Sequence, residues 1–302
     1  MTASSSPALV VFGEALTDFV HHGDGRWQSA AGGACWNVAR VAATLGIPTA
    51  WAGAVSNDAF GQQIVDLSRV AGLDLDYIQV VDKPPLLAMV TQIDPPRYLF
   101  VGNDAADLAF DETRMPAGWQ SGCRIAHFGC ISLVRQPLGE RLLRIAESLK
   151  QAGVQISFDP NHRALMGPDY PALFERLAAI ADILKVSDED LAGIYPGLPL
   201  DAALGKVLER APTARVIHTH GAAGMTLHYA GLRLAQASFP VQVADTVGAG
   251  DACMGAFLAH RLAEPDAPPA AALRYAAASG ASACARVGAH APTADELRRI
   301  LG

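Results

Sequence analysis

The 302-residue chain has no apolar run approaching the ~18 uninterrupted residues that a membrane-spanning helix needs, so no membrane partner is expected. It also has no run of Lys or Arg, and 23 basic against 30 acidic residues give a net charge of −7. Without a basic stripe there is nothing to hold a phosphodiester backbone, so no nucleic-acid partner is expected. The five cysteines (Cys35, Cys123, Cys130, Cys253, Cys284) are odd in number and widely spaced. They form neither a disulfide framework nor a Cys-x-x-Cys metal motif. Met1 to Pro7 is polar and uncharged, and the "ALVVFGEAL" that follows is too briefly apolar for a signal peptide. A cytoplasmic protein with reduced thiols is the expectation. "GGACWN" is not the Gly-x-Gly-x-x-Gly of a dinucleotide fold, which argues against a dehydrogenase.

Apolar material is plentiful at 51% of residues, with 18% charged, so a sizeable core is expected rather than disorder. Its pattern is rhythmic. "ALVVFGEAL" predicts a buried strand ending at Gly13, "WNVARVAATLG" a helix stopped at Gly46, "TAWAGAV" a strand and "FGQQIVDLSRVAG" a helix stopped at Gly72. From "RIAHFGCI" onward, strand and helix alternate through "LGERLLRIAESLKQAG", "VQISFD", "YPALFERLAAIA", "DILKVS", "DAALGKVLERA" and "RVIHTHG". "GMTLHYAGLRLAQA" predicts a hairpin, and three helical stretches close the chain, the first being "DACMGAFLAHRLA". This alternation predicts an α/β fold with a mostly parallel sheet between two helix layers, spanning 1–302 as one domain. The early segments "LLAMVTQID" and "RYLFVG", with a turn near Pro95 and Pro96, break the rhythm and predict a small separate sheet. Ligands of open α/β sheets bind at the carboxyl ends of strands, where such a sheet would serve as a lid.

"DTVGAGDACMG" (Asp245 to Gly255) raises the question of chemistry. Gly248, Ala249 and Gly250 leave backbone N–H groups open to an anion at a helix start, where the helix dipole adds positive charge. Asp251 stands directly beside them. Alone, the stretch reads equally well as a Gly-rich turn with an acidic cap.

Its surroundings decide otherwise. "DTVGAGDACMGAFLA", "GGACWNVARVAATLG", "FGEALTDF" and "ISFDPNHR" occur in order and resemble the signatures of the ribokinase-like sugar kinases, the PfkB family. The resemblance runs from residue 9 to about 300, and "FDPNHR" is most like the fructokinase and 2-keto-3-deoxygluconate kinase branches. It implies a ribokinase-like fold whose lid comes from segments near 14–31 and 86–103. It also implies in-line transfer of the ATP γ-phosphoryl to a sugar hydroxyl, with D-fructose the first-choice acceptor. Asp251 would accept the hydroxyl proton, and the amides of Gly248, Ala249 and Gly250 would form an anion hole. Asp18, Gly32, Gly33, Asn37, Asn161 and Arg163 would bind the sugar. Ser187, Thr219, Gly221 and Gly224, with Gly248 and Gly250, would bind the nucleotide. Asp190, in a Ser-x-x-Asp that replaces the family's Asn-x-x-Glu, would organise Mg²⁺ through water. Asp245, Val247, Arg286 and Gly288 would bind K⁺ with side-chain and backbone oxygens. A homodimer clasped through the lids is the implied assembly.

Several positions keep two readings. Trp36 and Cys35 replace small residues beside Asn37; Trp36 either narrows the pocket or faces away as a packing detail. Gly102 stands where the lid usually carries an Arg, leaving Arg97 as the only lid cation for a carboxylated sugar. Lys185 reads as a surface lysine ahead of a phosphate contact. His218 and His220 alternate on one strand face, more as a packed or hydrogen-bonded pair than as metal ligands, for want of a third ligand. His21-His22 reads as solvent-facing loop. A catalytically silent sugar- or nucleotide-binding protein is the alternative outside the enzymes.

Overall fold

The computed structural model describes residues 6–21, 25–92 and 97–302. The chain opens with β1 (Leu9–Phe12), β2 (Leu16–His21), β3 (Trp27–Gly32), α1 (Ala34–Thr44), β4 (Thr49–Ser56) and α2 (Ala59–Ala71). β5 (Ile78–Val81), β6 (Leu87–Gln92), β7 (Arg97–Val101) and β8 (Ile125–Gly129) follow. Alternation then becomes regular: α3 (Leu138–Gln151), β9 (Gln155–Asp159), α4 (Tyr170–Ile180), β10 (Ile183–Ser187), α5 (Asp188–Ile194), α6 (Leu200–Arg210) and β11 (Arg215–Thr219). The hairpin β12 (Met225–Tyr229) and β13 (Leu232–Gln236) precedes α7 (Ala249–Ala263), α8 (Pro269–Cys284) and α9 (Ala294–Leu301).

Among the described residues the main sheet runs β13-β12-β11-β10-β9-β8-β1-β4-β5. Its pairings are parallel from β11 to β5, and antiparallel only in the β11–β12–β13 hairpins. Alternate side chains of each strand serve opposite faces. Val10, Phe12, Ile156, Phe158 and Leu184 pack under the layer of α3 to α6. Leu9, Val11, Ile183 and Ile217 pack against α1, α2, α7 and α8, where Trp36, Met254 and Phe257 are fully buried. The three-layer α/β sandwich follows from that two-sided burial.

The helix ends explain the boundaries. Asp58 accepts hydrogen bonds from the Phe60 and Gly61 amides to start α2, and Gly72 in the left-handed region (φ 84°) ends it. The expected helix after "GAG" starts earlier than predicted. Gly248 at φ 75° is the cap, and Ala249, Gly250 and Asp251 form the first turn of α7. The short α5 was not expected, because its length is under two turns. Its cause was present as a capping box, with Ser187 and Asp190 each bonding the other's backbone.

A second sheet of order β3-β2-β6-β7 stands off the main one. β2 pairs antiparallel with β3 and parallel with β6, and β6 pairs antiparallel with β7. The predicted turn at Pro95 and Pro96 lies outside the described residues, as does His22. His21 is not in a loop: it is on β2, half-buried, with its ring 4.9 Å from that of Trp27. No helix among the described residues is long and apolar enough to cross a membrane.

Phe257 fills the space between α7 and the sheet with no solvent exposure. Phe257→Ala should lower stability by about 3–5 kcal/mol, read as an earlier urea midpoint with an unchanged slope.

Candidate active site

The parallel strands end along one edge of the sheet, and the sequence-selected residues gather there. β2 carries Asp18 above that edge. Asp18 lies over Gly32, where a Cβ would come within 2.3 Å of its Oδ2. Gly33 is equally constrained, with φ 116° and a Cβ position 2.6 Å from the Glu14 carbonyl. Glu14, whose Gly-Glu resembles the fructokinase-like branch but which was given no site role from the sequence, holds this turn: its Oε1 accepts from the Ala34 amide (3.2 Å) and its Oε2 from Ser132 Oγ (2.5 Å). Burial pushes the Glu14 pKa up. The Gly-Glu after the first strand was its sequence signal.

The fixed turn starts α1 and aims Asn37. Asn37 Nδ2 donates to Asp251 Oδ2 at 2.9 Å, a buried bond between residues 214 positions apart. This bond unites the two halves of the expected site. Asp251 is 8% exposed, and its pKa is pushed up to about 6, chiefly by burial. The Asn37 bond opposes that shift, Asp159 adds to it, and Lys185 and Arg163 oppose it. Asp18 is likewise pushed up to about 6 by burial, against the charge of Arg163. Arg163 therefore faces both carboxylates electrostatically, while its Nη1 donates to the Asn161 and His162 carbonyls (3.1 and 2.9 Å). Asn161 turns sharply at φ 39°, its amide bonded to Asp159 Oδ1.

Lys185 is not a surface residue. It is 4% exposed and pairs with Asp159 at 2.7 Å. A Cβ on Gly250 would lie 3.6 Å from its ammonium, so its charge sits against the Gly-Ala-Gly turn. Burial alone would lower its pKa, but Asp159 and Asp190 reverse that, and the pKa is raised. Its sequence signal was weak because one lysine within an apolar strand has no period to betray its direction.

Trp36 faces away from the site. It is fully buried, its Nε1 donates to Ser68 Oγ at 2.9 Å, and Arg40 stacks on its ring at 4.4 Å. Cys35 packs under the strand end, its Sγ 3.6 Å from the Gly129 carbonyl. Gly102 has an occupant nearby: Arg135 donates to its carbonyl at 2.6 Å, and a Cβ there would lie 2.9 Å from the guanidinium. Arg135 is held by Asp107 through two bonds of 2.5 and 2.9 Å.

The remaining candidates cluster by segment. Thr219 ends β11 beside Ser187, and Gly221 (φ 53°) and Gly224 (φ 101°) form the turn that follows. Asp190 turns inward: its Oδ2 accepts from the Ser187 amide and hydroxyl (both 2.8 Å) and its Oδ1 from the His162 amide (2.6 Å). Asp245 joins the two stretches expected to hold a monovalent cation, accepting from the Val247 amide at 3.1 Å and the Gly288 amide at 2.8 Å. Arg286 is mostly exposed and pairs with Glu296 at 3.6 Å.

The Ala249 amide, expected in the anion hole, is instead spent closing the turn on the Thr246 carbonyl at 3.2 Å. A buried carboxylate beside a helix start and a buried ammonium suits transfer of a charged group to a hydroxyl, with negative charge met by fixed donors. The fold that carries it is ribokinase-like, and the class of protein is a phosphotransferase. The profile of the pfkB family carbohydrate kinases matches residues 6–296. The chain belongs to that family. It is 31% identical over 320 residues to fructokinase-1 of Oryza sativa, covering 99% of each chain. It is 27% identical to the fructokinase with bound ATP from Xylella fastidiosa, covering 97% of both chains, with a TM-score of 0.88. A third likeness, at 26% identity and a TM-score of 0.85, is to the aminoimidazole riboside kinase of Salmonella enterica in complex with aminoimidazole riboside and an ATP analogue, covering 97% of this chain and 99% of that one.

Lys185→Met leaves Asp159 buried without its partner and should lower stability by about 3–5 kcal/mol. Adding Asp159→Leu should recover most of that loss in the same denaturant titration.

Proposed function

We propose that the protein transfers the γ-phosphoryl of ATP to a ketohexose, D-fructose first, at its 6-hydroxyl. The observation that carries the reading is the 2.9 Å bond between Asn37 and Asp251, which sets a sugar-type hydrogen-bonding group against an acid at the head of α7. Asn37 and Asp18 offer the donor and acceptor pattern that sugar hydroxyls need. Asp251 accepts the proton of the attacking hydroxyl. The amides of Gly248 and Gly250 and the ammonium of Lys185 meet the charge on the transferring group. Gly32, Gly33, Asn161 and Arg163 complete the sugar side, and Ser187, Thr219, Gly221 and Gly224 the nucleotide side. The choice of fructose rests on the fructokinases of rice and Xylella fastidiosa. Trp36 is buried against Ser68 and does not narrow the pocket.

Mg²⁺ would neutralise the nucleotide's phosphate charge. Both oxygens of Asp190 are engaged by protein donors, so Asp190 and Ser187 suit an ion held through water rather than directly. Both Asp245 oxygens are engaged by the Val247 and Gly288 amides, so a hard monovalent cation such as K⁺ would rely on the backbone oxygens of Val247, Arg286 and Gly288. Five unpaired thiols suit a reducing cytoplasm. Trp27, Leu99 and Val101 stand exposed on the small sheet, and a homodimer through that sheet would cover them. Light scattering at micromolar concentration should return twice the chain mass; a monomer would refute the pairing.

A second reading, a 2-keto-3-deoxygluconate kinase, is favoured by Arg163, a pocket cation able to take a carboxylate.

In a coupled ADP assay against a panel of hexoses, ketoses, pentoses and sugar acids, fructose should give the highest kcat/KM. Asp251→Asn should reduce kcat about 10²–10⁴-fold. Both carboxylates act ionised and both have pKa values raised to about 6. Log kcat/KM should therefore fall below pH 6 with a slope approaching 2, and Asp18→Asn should reduce that slope towards 1. No sugar-dependent ADP from any panel member would end the reading. A near-native rate in Asp251→Asn would end the assignment of the base.

A further inference from the structure

On the opposite face of β10 and β11 from Lys185, three potential ligands meet. His218 is in register with Val186, on the side of the sheet covered by α3 to α6, whereas Lys185 is in register with Ile217 on the other. The expectation of a merely paired His218 and His220 lacked a third ligand. The tertiary structure supplies one in Asp188, the first residue of α5. Asp188 Oδ1 lies 2.8 Å from His218 Nε2 and 3.2 Å from His220 Nδ1. All three ligand atoms fall within 4.8 Å of one another. The two rings are 4.0 Å apart.

We propose that Asp188, His218 and His220 bind a borderline divalent cation, Zn²⁺ foremost, at a site separate from that of the nucleotide's Mg²⁺. Two imidazole nitrogens and one carboxylate oxygen are the donor set such ions prefer, and hard Mg²⁺ does not. A tetrahedral ion with bonds of about 2.0–2.2 Å places its ligand atoms roughly 3.3–3.5 Å apart. The two spacings to Asp188 Oδ1 need an opening of only about half an ångström to admit it. Two neighbouring nitrogens aimed at one oxygen otherwise need a proton on each, and one cation replaces both. His220 is also oriented from behind: its Nε2 lies 3.4 Å from Thr226 Oγ1, leaving Nδ1 for the metal. His218 is almost fully buried, so its ring is held in place against Asp188. On the same face, His228 Nε2 is buried with no hydrogen-bond partner among the described residues, so this part of the sheet carries more imidazole than its internal bonds use. The α5 dipole opposes a cation, but Asp188, Glu189 and Asp190 fill that helix's first turn with negative charge.

A bound ion would pin the head of α5 to the end of β11, where the turn from His220 to Gly224 begins. That turn closes through the His220 amide on the Gly224 carbonyl at 2.8 Å and follows Thr219 directly. The ion therefore rigidifies the strand end that carries the nucleotide-side residues without touching the sugar pocket.

The test uses the full chain after chelator treatment, titrated with ZnCl₂ by calorimetry and followed by thermal melting, and with Co²⁺ by visible absorption. One equivalent of Zn²⁺ should bind and raise the melting temperature, and Co²⁺ should give the intense absorption of a tetrahedral site. His220→Ala and Asp188→Asn should each weaken binding more than tenfold, and Thr226→Val by about tenfold or more. His290→Ala, on a histidine paired with Glu296 elsewhere, should leave binding unchanged. Circular dichroism identifies any variant that fails to fold, and the other two then carry the comparison. Absence of stoichiometric binding, native affinity in His220→Ala and Asp188→Asn, or displacement of Zn²⁺ by millimolar Mg²⁺ would each overturn the proposal. None of these readouts involves sugar or ATP turnover, so they separate this site from the kinase reading.

Discussion

The bond from Asn37 to Asp251 is the contact on which the arrangement of the site depends. It joins the start of α1 to the start of α7, and both helices lie on the same side of the sheet. Each end is prepared independently. Glu14 and the left-handed Gly33 fix the turn that releases Asn37, and the left-handed Gly248 fixes the turn that releases Asp251. A displacement of either turn would leave a buried carboxylate without its neutral donor.

Charge burial is the second constraint. Asp159, Lys185, Asp190 and Asp251 are all buried near one another, a costly grouping unless signs alternate. They do: Lys185 lies between Asp159 and the Gly-Ala-Gly turn, with Arg163 beyond. The balance is incomplete at Asp251, whose pKa stays above its ordinary value. An acid whose folded pKa exceeds its unfolded one lowers stability as pH rises from about 3.8 towards about 6. The fold tolerates that loss at neutral pH, and a proton acceptor poised near the working pH is what it keeps in exchange.

Legibility in the sequence followed the range of the causes. Helices such as α2 and α3 were visible because apolar spacing and a terminal glycine are local. Asp251, Asp18 and Asn37 were visible because they sit in short motifs of fixed spacing. α5 was missed, since a helix of under two turns has no period to read, although Ser187 and Asp190 formed its capping box. Lys185 was misplaced outward because burial of a lone lysine depends on Asp159, which lies on a different strand. Trp36 kept two readings because its direction depends on Ser68, on a neighbouring helix.

By itself the sequence determined the layer order, the α/β rhythm and the family, because these rest on hydrophobic period and on motifs read within about fifteen residues. The tertiary structure decided which charges face one another. It turned Lys185 inward, turned Trp36 away, laid Arg135 against Gly102, and brought Asp188 to His218 and His220. The physical reason is that a side chain's electrostatic partner is set by strand order and register. Neighbours in the sheet such as β9, β10 and β11 carry residues far apart in the chain, and no local pattern encodes which of them meet.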